Sequence, residues 1–217
     1  MLKAVVFDLD GTLLDTIPDI AGALNRALAA CGQATHSVEA CKGFVGGGIR
    51  NAVCNALPAG APEELVDRVL EHYRGDYRER CAEQTACYPG VREMLAELAA
   101  RGLALGVLSN KTESTVQKIA GIFFPDVPFR CVLGRVDSRP LKPDPAAAVP
   151  VLEALGLPAG DVAYAGDSGT DMTFALAAGM VPAAAPWGYR SRQELVEKGA
   201  VLVPGSPAEM LEMLLRF

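Results

Sequence analysis

The stretch AVVFDLDGTLLD, residues 4–15, decides how this chain reads. Val5, Val6 and Phe7 make a short apolar run of the kind that forms a strand covered on both faces. The run then delivers Asp8 and Asp10, separated by Leu9, into a Gly11-Thr12 turn. A buried carboxylate is expensive unless it is paired or bound to a metal. Two of them at the end of a buried strand therefore imply either a wet strand end or a cation waiting there.

Working outward, similar apolar runs recur at 103–109, 130–133, 161–166, 180–184 and 200–203, after the first at 3–8. Helical segments with clear punctuation separate them. Pro89-Gly90 opens a stretch with Val91, Met94, Leu95 and Leu98 at helical spacing, closed by Gly102. Asp144-Pro145 supplies an N-cap and a first-turn proline to a helix ending at Gly156, while Ser191 with Glu194 and Ser206 with Glu209 have capping-box spacing. Alternating strand and helix predicts an α/β fold, a doubly wound Rossmann-like parallel sheet. Residues 15–86 break the rhythm and read as helices only, at 17–31, 37–42, 48–57 and 62–81. The expected organisation is an α/β catalytic core of residues 1–14 and 87–217 with an inserted α-helical cap domain, 15–86, hinged near 13–16 and 85–89.

Composition narrows the function classes. The chain has 217 residues and a formal charge of −6, with no basic patch to argue for nucleic acid. No apolar run approaches the roughly 18 residues of a membrane helix, and no signal-peptide core precedes Asp8. The six cysteines are scattered without a C-x-x-C pair, which suits free thiols in a reducing compartment. A cytoplasmic enzyme is the expectation, with monomer and homodimer both open.

In an open α/β sheet, ligands bind outside the carboxyl ends of the strands. The run at 103–109 ends in Ser109-Asn110, and the run at 161–166 ends in Gly166-Asp167-Ser168-Gly169-Thr170-Asp171. Lys142 precedes a helix start in Leu141-Lys142-Pro143-Asp144-Pro145. All of these polar groups fall at one edge of the sheet. Asp8, Asp10 and Asp167 offer hard oxygen ligands suited to Mg²⁺. Ser109, Lys142 and the backbone N–H groups of the Gly11-Thr12 and Ser109-Asn110 turns offer donors to a phosphate. One carboxylate can attack phosphorus, and a second can protonate the leaving group and later deprotonate water.

DLDGT at 8–12, Ser109-Asn110, Lys142 in KPDP and GDSGTD at 166–171 resemble, in order and across the whole chain, the motifs of the haloacid dehalogenase-like hydrolases. The helical insert resembles that superfamily's α-helical cap. WGYRSRQELVEKGA at 187–200 and VGGGIRNAV in the insert are similar to the phosphoglycolate phosphatase-like branch. The resemblance implies Asp8 as nucleophile and Asp10 as general acid/base, with the Asp10 carbonyl a metal ligand. It implies Ser109 and the Asn110 amide on the transferring phosphoryl group and Lys142 holding Asp8 and phosphate together. Asp167 would complete the metal site, Asp171 would orient Lys142 or a metal-bound water, and Thr12 would support the loop.

In the insert, Gly46, Gly47 and Gly48 open a helix at Ile49-Arg50. Gly47, Gly48 and Arg50 are candidates to hold a substrate carboxylate, against a plain helix connection and a solvated arginine. Lys42 reads as a solvated lysine, His36 and His72 as structural, and Trp187 and Tyr189 as packing near the site mouth. The expected activity is Mg²⁺-dependent hydrolysis of a small phosphorylated metabolite, phosphoglycolate first among the candidates. A phosphosugar mutase of the β-phosphoglucomutase kind and a non-catalytic binding member are the rival readings.

Overall fold

The structure, a computed structural model, describes residues 1–217. In chain order the elements are β1 (Ala4–Phe7), β2 (Leu14–Asp15), α1 (Ile17–Ala30), α2 (Val38–Phe44), α3 (Ile49–Ala56), α4 (Glu63–Arg80), β3 (Ala86–Cys87), α5 (Val91–Ala100), β4 (Ala104–Thr112), α6 (Glu113–Phe123), β5 (Phe129–Arg135), α7 (Val149–Leu155), β6 (Val162–Gly166), α8 (Gly169–Ala177), β7 (Val181–Ala184), α9 (Arg192–Glu197) and α10 (Pro207–Arg216). The chain divides into two compact units, Met1–Leu14 with Cys87–Phe217, and Asp15–Ala86.

The first unit is built on a five-stranded sheet in the order β5-β4-β1-β6-β7. Every pairing is parallel. The apolar run therefore lands in the middle, and Ala4, Val5, Val6 and Phe7 have no exposed surface. Short buried strands of this kind carry no polar alternation because helices cover both faces. Along one face Val6, Leu108, Val151, Tyr164, Phe174 and Met180 form a continuous core. Register decides where the polar residues fall: Phe7 sits opposite Val107 on one side and Ala165 on the other. Asp8, Ser109 and Asp167 each lie one or two residues past that row, so the pairing itself gathers them at one edge.

The segment 200–203 does not become a sixth strand. It makes one isolated bridge, Ala183 to Leu202. Residues alternate along a strand in which neighbour they bond, and Pro182 faces this segment: its carbonyl accepts from Val201 and Leu202 N–H. Pro182 has no N–H to return, so the ladder stops. The helix expected from Pro145 also starts differently. Pro145–Ala148 is a 3₁₀ turn capped by Asp144, and the α-helix proper begins at Val149. Pro150 has no N–H to continue an α-helical ladder back to Ala146, and the tighter turn avoids that bond.

The second unit is helical. His36 is tied into it at both backbone and ring: its ring Nε2 lies 2.8 Å from the Ala56 carbonyl, and Asn25 bonds its backbone N–H and C=O. Asp19, in the first turn of α1, is buried and does not serve its own helix. Its carboxylate accepts from the N–H groups of Gln84 and Thr85 and from the Thr85 hydroxyl at 2.7–3.0 Å. One side chain thus ties the beginning of the unit to its end. Removing it leaves buried donors unsatisfied, at about 1–3 kcal/mol for each such group. Asp19→Ala should lower unfolding free energy by about 3 kcal/mol in urea titration, with Asp19→Asn losing less.

In the first unit Glu113, at the start of α6, accepts from Arg139 at 2.6 Å and from Gly134 N–H at 3.2 Å. The Arg139 hydrogen bond holds its carboxyl below the ordinary 4.5. A depressed folded value means stabilisation that is complete above the ordinary value and lost as pH falls through the folded one. Glu113→Gln should therefore cost about 0.5–1 kcal/mol at pH 7 and progressively less as pH falls below 4.5, measured by denaturant unfolding across that range.

Candidate active site

β1 ends one residue before Asp8, whose N–H still joins the sheet through Ala165 O at 2.8 Å. The chain then turns around the Leu9 carbonyl, which accepts from Leu13 and Leu14 N–H at 3.1 Å. Gly11 makes that turn with φ +77, and a Cβ there would sit 2.2 Å from Asp167 Oδ2. Glycine is required twice over, by handedness and by space. The turn leaves Asp8 facing inward: its Oδ1 accepts from Leu9 N–H at 2.7 Å and its Oδ2 lies 3.2 Å from Lys142 Nζ.

Lys142 is 4% exposed, and each proton of its ammonium has an acceptor. Asp8, Asp171 Oδ1 at 2.7 Å and the Tyr164 hydroxyl at 2.6 Å surround it. Tyr164 passes its own proton to the Leu108 carbonyl at 2.8 Å. The Lys142 backbone is held as firmly. Asn110 Nδ2 donates to the Lys142 carbonyl and Asn110 Oδ1 accepts from its N–H, both at 2.9 Å. The Asn110 side chain is thus spent on the lysine loop. Ser109 is buried beside it, its Oγ accepting from Lys111 N–H at 3.4 Å.

Asp171 completes a reciprocal capping box on α8, its Oδ2 accepting from Ser168 N–H and Oγ. Both of its oxygens are committed, and the side chain is fully buried. Asp167 accepts from Tyr189 N–H at 2.8 Å and from Thr12 Oγ1 at 3.4 Å. The 185–190 loop braces this side: Trp187 Nε1 donates to Thr12 O at 3.0 Å. Gly188 packs so tightly that a Cβ would meet Gly11 O at 2.2 Å and Asp167 Cβ at 2.4 Å.

Carboxylate oxygens of Asp8, Asp167 and Asp171 lie within 4.8 Å of one another. Burial raises Asp8 to about 6, with the charges of Asp171 and Asp10 adding to it and Lys142 opposing. Burial beside Asp171 and Asp8 raises Asp167 well above the usual carboxylate range, against the Tyr189 N–H and the charge of Arg190. Burial lowers Lys142 and its two aspartates raise it, the aspartates prevailing. Three carboxylates, those of Asp167 and Asp171 buried and that of Asp8 partly so, face one ammonium, so a hard divalent cation fits the remaining charge and the oxygen donors. Asp8 and Asp167 have the spare lone pairs for it.

The cluster of Asp8, Asp167 and Asp171 does not include the Asp10 carboxylate. Asp10, expected to carry protons with its carboxylate and to offer its carbonyl to a metal, turns the carboxylate to Lys111 in an ion pair. Lys111 stands in no motif of the sequence, although period-2 alternation puts it on the side of Ser109. Tyr164 stands in none either. A tyrosine amid valine and alanine in a fully buried strand needs a partner for its hydroxyl, and that is the signal that could have found it. Arg50, a candidate for a substrate carboxylate, already holds Asp67 at 2.8 Å and Glu63 within its own unit. Gly48 caps α3 with φ +84, and Gly47 packs on Asn51. Lys42 pairs with Glu39 at 2.8 Å.

The family model of haloacid dehalogenase-like hydrolases matches residues 5–185. A phosphoglycolate phosphatase of Pseudomonas syringae pv. tomato is 35% identical over 206 residues, 93% of this chain and 75% of the relative. A phosphoglycolate phosphatase of Chromobacterium violaceum is 34% identical over 217 residues, 98% of this chain and 96% of the relative. Among solved structures, one from Lactobacillus delbrueckii subsp. bulgaricus, carrying a provisional phosphoglycolate phosphatase assignment, superposes with TM-score 0.92 at 31% identity over 98% of each chain.

The fit at Gly188 yields a test. Gly188→Ala must push backbone and Asp167 apart, an overpacking cost of about 1–3 kcal/mol. Its urea midpoint should fall accordingly, whereas Gly160→Ala, with open space around it, should leave the midpoint unchanged.

Proposed function

We propose that this chain, which belongs to the haloacid dehalogenase-like hydrolases, hydrolyses a small phosphate monoester through a phosphorylated Asp8, with phosphoglycolate as substrate and Mg²⁺ as cofactor. The observation that carries the reading is Asp8 itself. Its carboxylate plane is set by Leu9 N–H on one oxygen and Lys142 on the other, at the sheet edge where Ser109 and Asp167 converge. The substrate rests on the phosphoglycolate phosphatases that the chain resembles over nearly its whole length.

Chemistry at this site needs an ionised nucleophile held in line with the ester bond. Lys142 keeps Asp8 charged against its own burial. Asp8 attacks phosphorus, the bond to the leaving oxygen breaks, and Asp10 gives that oxygen a proton. Ser109 Oγ and the Asn110 backbone N–H hold phosphoryl oxygens, and Lys142 neutralises part of their charge. Asp10, now a carboxylate, takes a proton from water as its oxygen attacks phosphorus. The bond to Asp8 breaks, and inorganic phosphate leaves. Mg²⁺, held by Asp8, Asp167 and the Asp10 carbonyl, would supply charge stabilisation to the phosphoryl oxygens when bound. Asp171 works through Lys142. The helical unit, Asp15–Ala86, is assigned as the substrate-selecting cap. No helix is long and apolar enough to cross a membrane, and a cytosolic location accords with this reading.

A panel of small phosphate esters tests it. Phosphate release should require Mg²⁺, vanish with a chelator, favour phosphoglycolate, and fall by about a thousandfold or more in Asp8→Asn. Preference for a sugar phosphate with isomerised product would replace hydrolysis by a mutase. Absence of release from every ester would overturn the reading.

A further inference from the structure

Lys111 belongs to none of the groups that the mechanism uses, yet it touches one of them. Its ammonium pairs with Asp10 Oδ1, and its side chain is 9% exposed against 20% for Asp10. It stands near the end of β4, two residues past Ser109. Its backbone N–H also donates to Ser109 Oγ at 3.4 Å. One residue thus joins the carboxylate assigned to proton transfer and the hydroxyl assigned to the phosphoryl group.

Asp8 and Asp10 are held in different ways. The Asp8 carboxylate is fixed by its own turn, through Leu9 N–H, and by the buried Lys142. Asp10 lies in the loop that leads to Gly11, and its Oδ1 is drawn across the sheet edge to β4. A proton donor is effective only when its oxygen is within hydrogen-bond reach of the atom it serves, and small displacements are costly. A lysine ammonium whose stem is packed away from solvent can set that oxygen's position. A surface ion pair of the same length would not, since both side chains would remain free to move.

Resting on the assignment of Asp10 as proton donor, we propose that Lys111 is a positioning residue for Asp10 and so governs which leaving groups the enzyme can expel. An alkoxide needs the proton as the ester bond breaks. A nitrophenolate leaves without one near neutral pH. Loss of the Lys111 contact should therefore penalise alkyl esters and largely spare aryl esters.

The test compares kcat/KM for phosphoglycolate, or the alkyl phosphate that the panel favours, with kcat/KM for 4-nitrophenyl phosphate. Lys111→Met should lower the alkyl-to-aryl ratio by about tenfold or more, within the range a general acid contributes. Lys111→Arg should restore most of it. In an Asp10→Asn background the same Lys111→Met change should alter the ratio by less than about threefold, because the residue it acts through is gone. Lys111→Gln, read with circular dichroism and the thermal midpoint, serves where Lys111→Met does not fold.

Equal loss on both esters would place Lys111 on the phosphoryl group or in the fold, and overturn the inference. An unchanged ratio, or full additivity with Asp10→Asn, would also overturn it. Wild-type alkyl turnover in Asp10→Asn would remove Asp10 from proton transfer and this inference with it, leaving the Asp8 result standing. A wild-type enzyme that releases phosphate from neither ester would overturn the phosphatase reading as well.

Discussion

The site depends on one buried ammonium. Lys142 reaches the carboxyl edge of the sheet from a loop and spends its three protons on Asp8, Asp171 and the Tyr164 hydroxyl. Taking charges out of water costs several kcal/mol for each ion, and attraction repays this only when geometry is good and further hydrogen bonds complete the set. Those further bonds are here. Ser168 satisfies the far oxygen of Asp171, Leu9 N–H satisfies Asp8, and Leu108 O takes the Tyr164 proton. Asn110 fixes the lysine backbone in both directions. No buried side-chain nitrogen or oxygen lacks a hydrogen-bond partner. A network with every member satisfied is rigid, and an incomplete one would be worse than an apolar core.

Around that network the backbone closes with almost no space to spare. The 9–14 turn, the Asp167 side chain and the 185–190 loop interleave where Gly11 and Gly188 have no Cβ. Trp187 and Tyr189 then bond the turn and the carboxylate from the far side. The loop after the last strand of the sheet therefore braces the loop after the first. A parallel sheet, whose strands meet only in register, in this way converts strand ends from distant parts of the sequence into one constellation.

Electrostatics leaves the site in tension. Burial and mutual repulsion raise Asp8 and Asp167. Catalytic groups in a cleft are found in this condition, because stored electrostatic cost can be released by the ion or transition state that the site accepts. Asp10 adds its charge to that repulsion and is itself paired with Lys111 at the partly open edge. The two carboxylates of the D-x-D pair thus have different environments, as the proposed division between attack by one and proton transfer by the other requires.

Much of this was legible in the chain. The apolar run at 4–7, the strand–helix alternation and the polar residues at the strand ends are local patterns, and a parallel sheet gathers them whatever the details. The same local reasoning failed where a partner decided the outcome. Residues 200–203 look like a strand, but Pro182 in the neighbouring strand cannot donate the bond that would extend it. Arg50 reads either as a partner for a substrate carboxylate or as a solvated arginine, and its pairing with Glu63 and Asp67 of another helix is set only by the fold. Lys111 and Tyr164 stand in no motif, and Gly188 lies in the 187–200 stretch with no role legible there; they matter through Asp10, Lys142 and Gly11, up to 177 residues away along the chain. The sequence by itself determined the fold class and which residue types stand at the sheet edge, because strand period and turn chemistry are set by neighbours. Tertiary structure alone decided which carboxylate faces which cation, because that pairing depends on distances between segments that no local pattern encodes.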